Sequence, residues 1–232
     1  NGSEKETFGE NESKNCLCQP NLADKYDKLK NSIVYIENEN NDSYSIGIKL
    51  SEYIVTLVNW LEMGDDGIIH LDGTLENLYI YDNSNKKFKA KIIGKNKTTG
   101  IIVLRMDVKN IKPSTLKLDQ EDYLNIGDPV IIFNNLGSGS KFIIPNIIST
   151  GNISNIIDKS NAPSNKKKYF KDITFFRIIK TNIINEGVVF NTKGDFIGLN
   201  TLLDTNYEEK ILIPSNYIFS IFKNIIETGG GL

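Results

Sequence analysis

Histidine and cysteine are scarce in this 232-residue sequence, with one and two residues respectively, and the net charge is only -2. The near-neutral charge argues against a nucleic-acid partner, because domains that bind nucleic acid usually carry a basic excess. No run of about 18 apolar residues occurs, so we expect no membrane-spanning helix in this chain. The sequence begins with Asn rather than Met, and we expect a processed form or a part of a longer protein.

The two cysteines, Cys16 and Cys18, lie two positions apart in the string NCLCQP. The geometry of a disulfide makes a bond between residues so close in sequence strained. Two interpretations stay open: disulfides to a partner chain or to a missing part of the protein, or two unpaired thiols in a flexible tail. A structural zinc site needs four Cys or His ligands, and only His70 could join these two, so the sequence predicts no metal and no cofactor.

Short apolar runs separated by turn residues occupy most of the chain and predict an all-β fold. The runs are rich in Ile, Val, Phe and Tyr, as in YSIGIKL, DPVIIF and DFIGLNT. Many short strands at this spacing are typical of barrels or sandwiches. The predicted organisation is a disordered segment at 1–24, β units at 25–113 and 114–214, a helix at 215–227 and a linker scar at 228–232.

The string SNYIFSIFKNIIE at 215–227 departs from the strand pattern. Ile218, Ile221, Phe222 and Ile225 recur at helical spacing, and Ser215 can cap the first turn. We therefore predict an amphipathic C-terminal helix whose apolar face docks on the β units.

Six strings, in the same order along the chain, resemble the protease domain of the HtrA/DegP family. They are SIVYIE, SEYIVT, FKAKIIGKNKTTGIIVLRM, LKLDQEDYLNIGDPVIIF, KGDFIGLNT and ILIPSN, and they span residues 32 to 220 approximately. The resemblance implies a trypsin-like double β-barrel closed by a C-terminal helix. It also implies descent from a serine protease.

That family's activity depends on a His, an Asp and a Ser, and the resemblance places other residues at all three positions. The His position falls on Asn59, and the Asp position falls on Gly100. The glycine-rich serine loop is shortened, so that Asn185–Gly187, with Glu186 at its centre, spans the gap. A serine hydroxyl needs an adjacent base to take its proton and a carboxylate to orient that base. The sequence therefore predicts an inactive protease fold, used as a protein-binding or scaffold module.

An alternative is a diverged serine hydrolase, either built around His70 or completed by a partner chain. His70 lies in MGDDGIIHLDGT, close in sequence to Asp65, Asp66 and Asp72. The string LGSGS supplies Ser138 and Ser140, but a nucleophile elbow needs a strand–turn–helix context that the following KFIIPNII does not predict.

Two loops, at 63–77 and 158–171, are the candidate binding surfaces for another protein. Loops on a rigid scaffold commonly carry binding. The resemblance implies a location in the secretory pathway, at the cell surface, outside the cell or in an organelle lumen. The oligomeric state stays open. The candidate binding residues are Asp65, Asp66, His70, Lys166, Lys167, Lys168 and Lys171.

Overall fold

The computed structural model shows two closed β-barrels and two helices. It describes residues 21–39, 43–57, 78–96, 99–107, 116, 124–137, 143–158, 160, 175–182, 186–202 and 209–229. Within these ranges, no helix combines the length and apolarity needed to cross a membrane. The predicted disordered residues before 21 and the predicted linker residues after 229 lie outside the described part of the chain.

The first described element is helix α1, Leu22–Leu29, which continues into a 3-10 turn at Lys30–Ser32. The Asn21 side chain accepts a hydrogen bond from the Asp24 backbone N–H and caps the helix. The prediction that disorder extends to residue 24 is wrong for its last three residues. The helix forms because Leu22, Tyr26 and Leu29 share one face and pack on the core between the barrels.

Six antiparallel strands form the first barrel, in the order β1-β2-β3-β6-β5-β4, with β1 paired to β4 to close it. Its interior is filled by Val34, Ile36, Ile54, Ile80 and Leu104 with their neighbours. The strands are β1 (Ile33–Asn38), β2 (Ser43–Leu50), β3 (Tyr53–Leu57), β4 (Leu78–Tyr81), β5 (Lys87–Lys95) and β6 (Ile101–Met106).

The second barrel repeats this architecture, in the order β10-β11-β12-β9-β8-β7, and β7 pairs with β10 to close it. Its interior is lined by Val130, Ile132, Ile179, Val189 and Leu212 with their neighbours. Its strands are β7 (Pro129–Gly137), β8 (Ile143–Asp158), β9 (Phe175–Lys180), β10 (Gly187–Asn191), β11 (Phe196–Leu202) and β12 (Glu209–Pro214). The all-β fold is confirmed, and the two six-stranded barrels are consistent with a trypsin-like double barrel.

A shared apolar core joins the two barrels to each other and to both helices. In β10, Val188 and Phe190 belong to this shared core, whereas Val189 between them faces the interior of its own barrel. Successive side chains of a strand point to opposite faces, so one strand fills both cores. Tyr26 of α1 reaches the same core, where its ring stacks on Phe133 with the ring centroids 6.1 Å apart.

Helix α2, Ser215–Glu227, follows β12 directly and confirms the predicted C-terminal helix. Ile218, Ile221 and Ile225 are buried against the shared core, at the spacing that the sequence indicates. The suggested capping role of Ser215 is wrong: the N-cap is Pro214, which has an extended backbone, and no side chain caps the first turn. Burying one such isoleucine contributes about 1.5–3 kcal/mol, so packing rather than capping holds the helix in place.

The closest backbone approach among the described glycines occurs at Gly198 in β11. A β-carbon there would lie 2.1 Å from the carbonyl oxygen of Ile213 on β12, and the φ angle of Gly198 is 153°. We expect Gly198→Ala to lower the free energy of unfolding by about 3 kcal/mol or more, because β11 and β12 would have to separate. Urea unfolding followed by circular dichroism measures this change.

The matched control for that substitution is Gly127→Ala. Gly127 also has a positive φ angle, 96°, but nothing lies within 4 Å of its added β-carbon. We expect a cost of about 1 kcal/mol there, from backbone conformation alone. Equal costs for the two variants would contradict the close approach of β11 and β12.

Candidate functional site

Gly100, at the position of the family's Asp, lies in the tight turn between β5 and β6. Its φ angle is 73°, in the left-handed region that favours glycine. Its N–H donates to the carbonyl oxygen of Asn96 at 3.0 Å. The backbone N–H and hydroxyl of Thr99 both donate to the Asn96 side-chain oxygen, at 3.0 and 3.1 Å. The turn is therefore closed by its own amide and hydroxyl groups, and it presents no carboxylate.

The end of β3 and the beginning of β6 lie side by side at one end of the first barrel. Leu57, the last residue of β3, pairs with Ile101, the first residue of β6. The chain that leaves β3 and the chain that enters β6 therefore meet at the same end of the barrel. Gly100 immediately precedes β6, while Asn59, two residues beyond β3, lies outside the described residues.

Glu186, at the position of the shortened serine loop, lies at the start of β10 and is only 8% exposed. The Thr201 hydroxyl on β11 donates to a Glu186 carboxylate oxygen at 2.7 Å. The Thr201 hydroxyl uses its proton in this bond, which gives the buried carboxylate a partner on the neighbouring strand. Asn185, the first residue of the predicted gap, lies outside the described part of the chain.

Three polar side chains that the sequence did not single out are buried at the same end of the second barrel. Asn134, Asn200 and Lys210 all have an exposed fraction of 0%. Asn134 and Asn200 both pair in register with Gly187, the first residue of β10. Lys210 is two residues before Leu212, which lines the barrel interior, so alternation puts Lys210 on the interior face as well.

The ammonium of Lys210 is electrostatically coupled to the Glu186 carboxylate. Burial lowers the pKa of Lys210 from its usual value, and the negative charge of Glu186 offsets part of this change. A buried lysine near a carboxylate costs less than an unpaired one, because the two charges attract in a medium of low polarity. Lys210 lies on the interior face of the barrel, whereas Glu186 is bonded to Thr201, which pairs with Ile211 of the shared core on the opposite face. Both charges are buried and neither belongs to a solvated loop.

Because Gly187 has no side chain, β7 and β11 can approach β10 closely at this position. A β-carbon at Gly187 would lie 2.6 Å from the carbonyl oxygen of Phe133 and 2.9 Å from the side-chain oxygen of Asn200. No larger residue fits without moving backbone atoms. A serine at this position would therefore collide with β7 and β11 and would not restore a nucleophile.

A second polar network covers the outer face of the first barrel. Glu37 accepts hydrogen bonds from the hydroxyls of Tyr44 at 3.2 Å and Tyr81 at 2.5 Å, and its carboxylate pairs with Lys87 at 3.1 Å. The Lys87 ammonium lies over the Tyr79 ring, 4.0 Å from its centroid. Although burial opposes it, the hydrogen bonds from Tyr81 and Lys87 lower the pKa of Glu37. These groups satisfy one another, which indicates a structural role.

The structure does not place the other residues predicted from the sequence, because they lie outside the described residues. Within the described ranges, no group of three or more His, Cys, Asp or Glu side chains could hold a metal ion. Ser138, Ser140 and Asp72 also lie outside these ranges. The predicted binding and disulfide residues that are not described are Cys16, Cys18, Asp65, Asp66, His70, Lys166, Lys167, Lys168 and Lys171.

Comparison with protein-family models gave no match, and comparison with curated proteins gave none either. Hypotheses about function therefore depend on the fold and on the groups just described. Of the three triad positions, two can be inspected: Gly100 has no side chain, and Glu186 has a carboxylate in place of a serine hydroxyl.

Replacing Lys210 by methionine tests the buried charge at this barrel end. Because burial lowers the pKa of Lys210, keeping this ammonium charged destabilises the folded protein, and the whole of this destabilisation is present at neutral pH. That cost disappears as the pH rises towards about 10.4, where a free lysine loses its proton. We expect the free energy of unfolding of Lys210→Met, minus that of the wild type, to fall over this range. The fall is about 1.4 kcal/mol for each unit by which burial lowers the pKa.

Urea unfolding at a series of pH values provides this measurement. Subtracting the wild-type curve removes the titration of the other lysines and tyrosines, which both proteins share. Lys89→Met, which removes an exposed ammonium on β5, is the matched control. A Lys210→Met difference as flat as that of the control would show that the Lys210 charge is solvated.

Proposed function

We propose that this protein is a non-catalytic, HtrA-like member of the trypsin-like double-barrel class that serves as a protein-binding or scaffold module. The observation that carries the proposal is Glu186. The residue that stands where the resemblance places the nucleophile loop is a buried carboxylate held by Thr201. A carboxylate has no hydroxyl, so Glu186 cannot supply the serine nucleophile that the family's mechanism needs.

The neighbouring backbone supports the same proposal. Gly187 leaves no room for a larger side chain, and Gly100 supplies no carboxylate in its turn. Removing the nucleophile or the base of a Ser-His-Asp triad costs about 10⁶ in kcat. Changes at two positions of one triad are therefore explained together by loss of catalysis. Under this proposal, natural selection maintains binding by this protein and not catalysis.

The proposal predicts no covalent reaction with a fluorophosphonate probe. Such probes phosphonylate only serines whose hydroxyl is activated by a base, and we expect no labelled band after incubation with the purified protein. An active HtrA-type protease labelled in parallel is the positive control. In-gel fluorescence and intact mass spectrometry provide the readout.

Stoichiometric labelling would overturn the proposal and favour the diverged hydrolase. Peptide mapping would then identify the serine, and His70→Ala would test whether the single histidine is its base. A partner-completed enzyme would label only after its partner chain is added, so the assay is repeated in an extract of the cells that produce the protein.

The predicted binding loops give a separate test of the scaffold function. We expect charge reversal of Lys166, Lys167, Lys168 and Lys171 to lower cross-linking to a partner by at least about tenfold, since several favourable ion contacts would become repulsive. The melting temperature should stay the same, because the sequence predicts a solvated loop here and surface substitutions usually change stability by less than about 0.5 kcal/mol. Asp65→Lys with Asp66→Lys tests the other loop in the same way.

The control for both loops is charge reversal of Lys89 and Lys91, which are exposed on β5 of the first barrel. Quantitative cross-linking mass spectrometry compares all variants with the wild type. Unchanged capture by both loop variants would show that the partner contacts another surface. Capture lost equally in the control would show that only overall charge matters.

A further inference from the structure

Asn134 and Asn200 form the least satisfied part of the molecule. Both are fully buried, and the side-chain nitrogen and oxygen of each have no hydrogen-bond partner among the residues that the structure describes. Leaving a buried polar group unpaired costs about 1–3 kcal/mol, and here there are two donors and two acceptors. Their summed cost approaches the whole stability of an ordinary domain. The described residues supply no partner for them, so we expect a further polar group to pair with them.

The two amides are brought together by the register of three strands. Gly187 on β10 pairs with Asn134 on β7 on one side and with Asn200 on β11 on the other. All three residues share the face that lines the barrel interior, because Ile132 and Val189, two residues along their strands, belong to the interior core. The Asn200 oxygen lies 2.9 Å from the place that a Gly187 β-carbon would take, so this amide leans across the glycine towards β7.

The amides flank the first residue of β10, whereas β7 continues beyond Asn134 to Gly137 and β11 continues beyond Asn200 to Leu202. Gly187 is the first residue of β10, and Asn134 is the last residue of β7 that pairs with it. Mouths of β-barrels are common positions for small-molecule sites. Lys210 and Glu186 lie at the same end with opposite charges, so the site carries no net charge that would select an ion.

The donors and acceptors define the chemistry of the occupant. A carboxylate only accepts hydrogen bonds, and it would leave both asparagine oxygens unpaired. An ammonium or guanidinium group only donates, and it would leave both NH₂ groups unpaired. A primary carboxamide donates two hydrogen bonds and accepts two, which matches two facing asparagine amides.

We propose that Asn134 and Asn200 form a binding site for a primary carboxamide beside Gly187 in the second barrel. The ligand's two N–H groups donate to the two asparagine oxygens, and its oxygen accepts from their NH₂ groups. The carboxamide belongs either to an Asn or Gln side chain of a partner protein or to a free small amide. The first source rests on the proposed protein-binding function, whereas the second source does not.

Side-chain amide resonances in a ¹H–¹⁵N NMR spectrum test the site, with acetamide as the probe. We expect a saturable shift of the Asn134 and Asn200 NH₂ signals and no shift at Asn152, which is exposed on β8. Acetone has the same shape but no donor, and acetate has no donor but a charge, so neither should compete. Asn134→Leu and Asn200→Leu assign the two signals, and each should raise the Kd for acetamide at least about tenfold.

Two short peptides that differ only in a central Gln or Glu separate the two sources. Binding of acetamide and of the Gln peptide supports a partner side chain, whereas binding of acetamide alone supports a free amide. The site would be overturned if acetamide shifted neither NH₂ signal. It would also be overturned if acetamide bound both leucine variants as well as it binds the wild type. Nuclear Overhauser contacts to long-lived water without a response to acetamide would overturn it too, because internal water would then pair the amides. If one leucine variant does not fold, the other gives the same test.

Discussion

Burial of strands on both faces is the constraint on which the rest of this structure depends. In β10 all five residues are buried, because alternate side chains enter the barrel interior and the core shared with the other barrel. Apolar side chains stabilise by about 25 cal/mol for each Å² removed from water, so a strand with two buried faces contributes twice. The barrels are therefore not independent bodies that touch: each one provides a wall of the core that stabilises the other.

The same constraint explains why the polar residues at the end of the second barrel are unusual. A position inside a closed barrel has no access to water, so a polar group there needs a partner from the protein or from a ligand. Thr201 supplies one partner for Glu186, and Glu186 lowers the cost of burying Lys210. Asn134 and Asn200 have no such compensation from the described part of the chain. Interiors tolerate exceptions of this kind mainly at functional sites.

The sequence predicted the parts of this fold whose pattern is repeated over many residues. The strand runs and helix 215–227 follow from hydrophobic period alone. Helix α1 has only eight residues and is stabilised by tertiary contacts such as the Tyr26–Phe133 stack, which no local pattern contains. The polar site was missed for a similar reason. Asn134 follows an apolar run and Lys210 follows two glutamates, so both resemble solvated strand ends until strand register places them inside.

Each helix contacts the barrel that is more distant from it in the sequence. Helix α1 precedes the first barrel but lies on the second: the Lys25 ammonium donates to the carbonyl oxygen of Lys193, and Tyr26 stacks on Phe133. Helix α2 ends the second barrel but reaches the first through the Phe222 ring, 5.6 Å from that of Tyr53. During synthesis on a ribosome, α1 therefore emerges long before its docking surface exists. The last strands and α2 must leave the exit tunnel before either barrel has its full core.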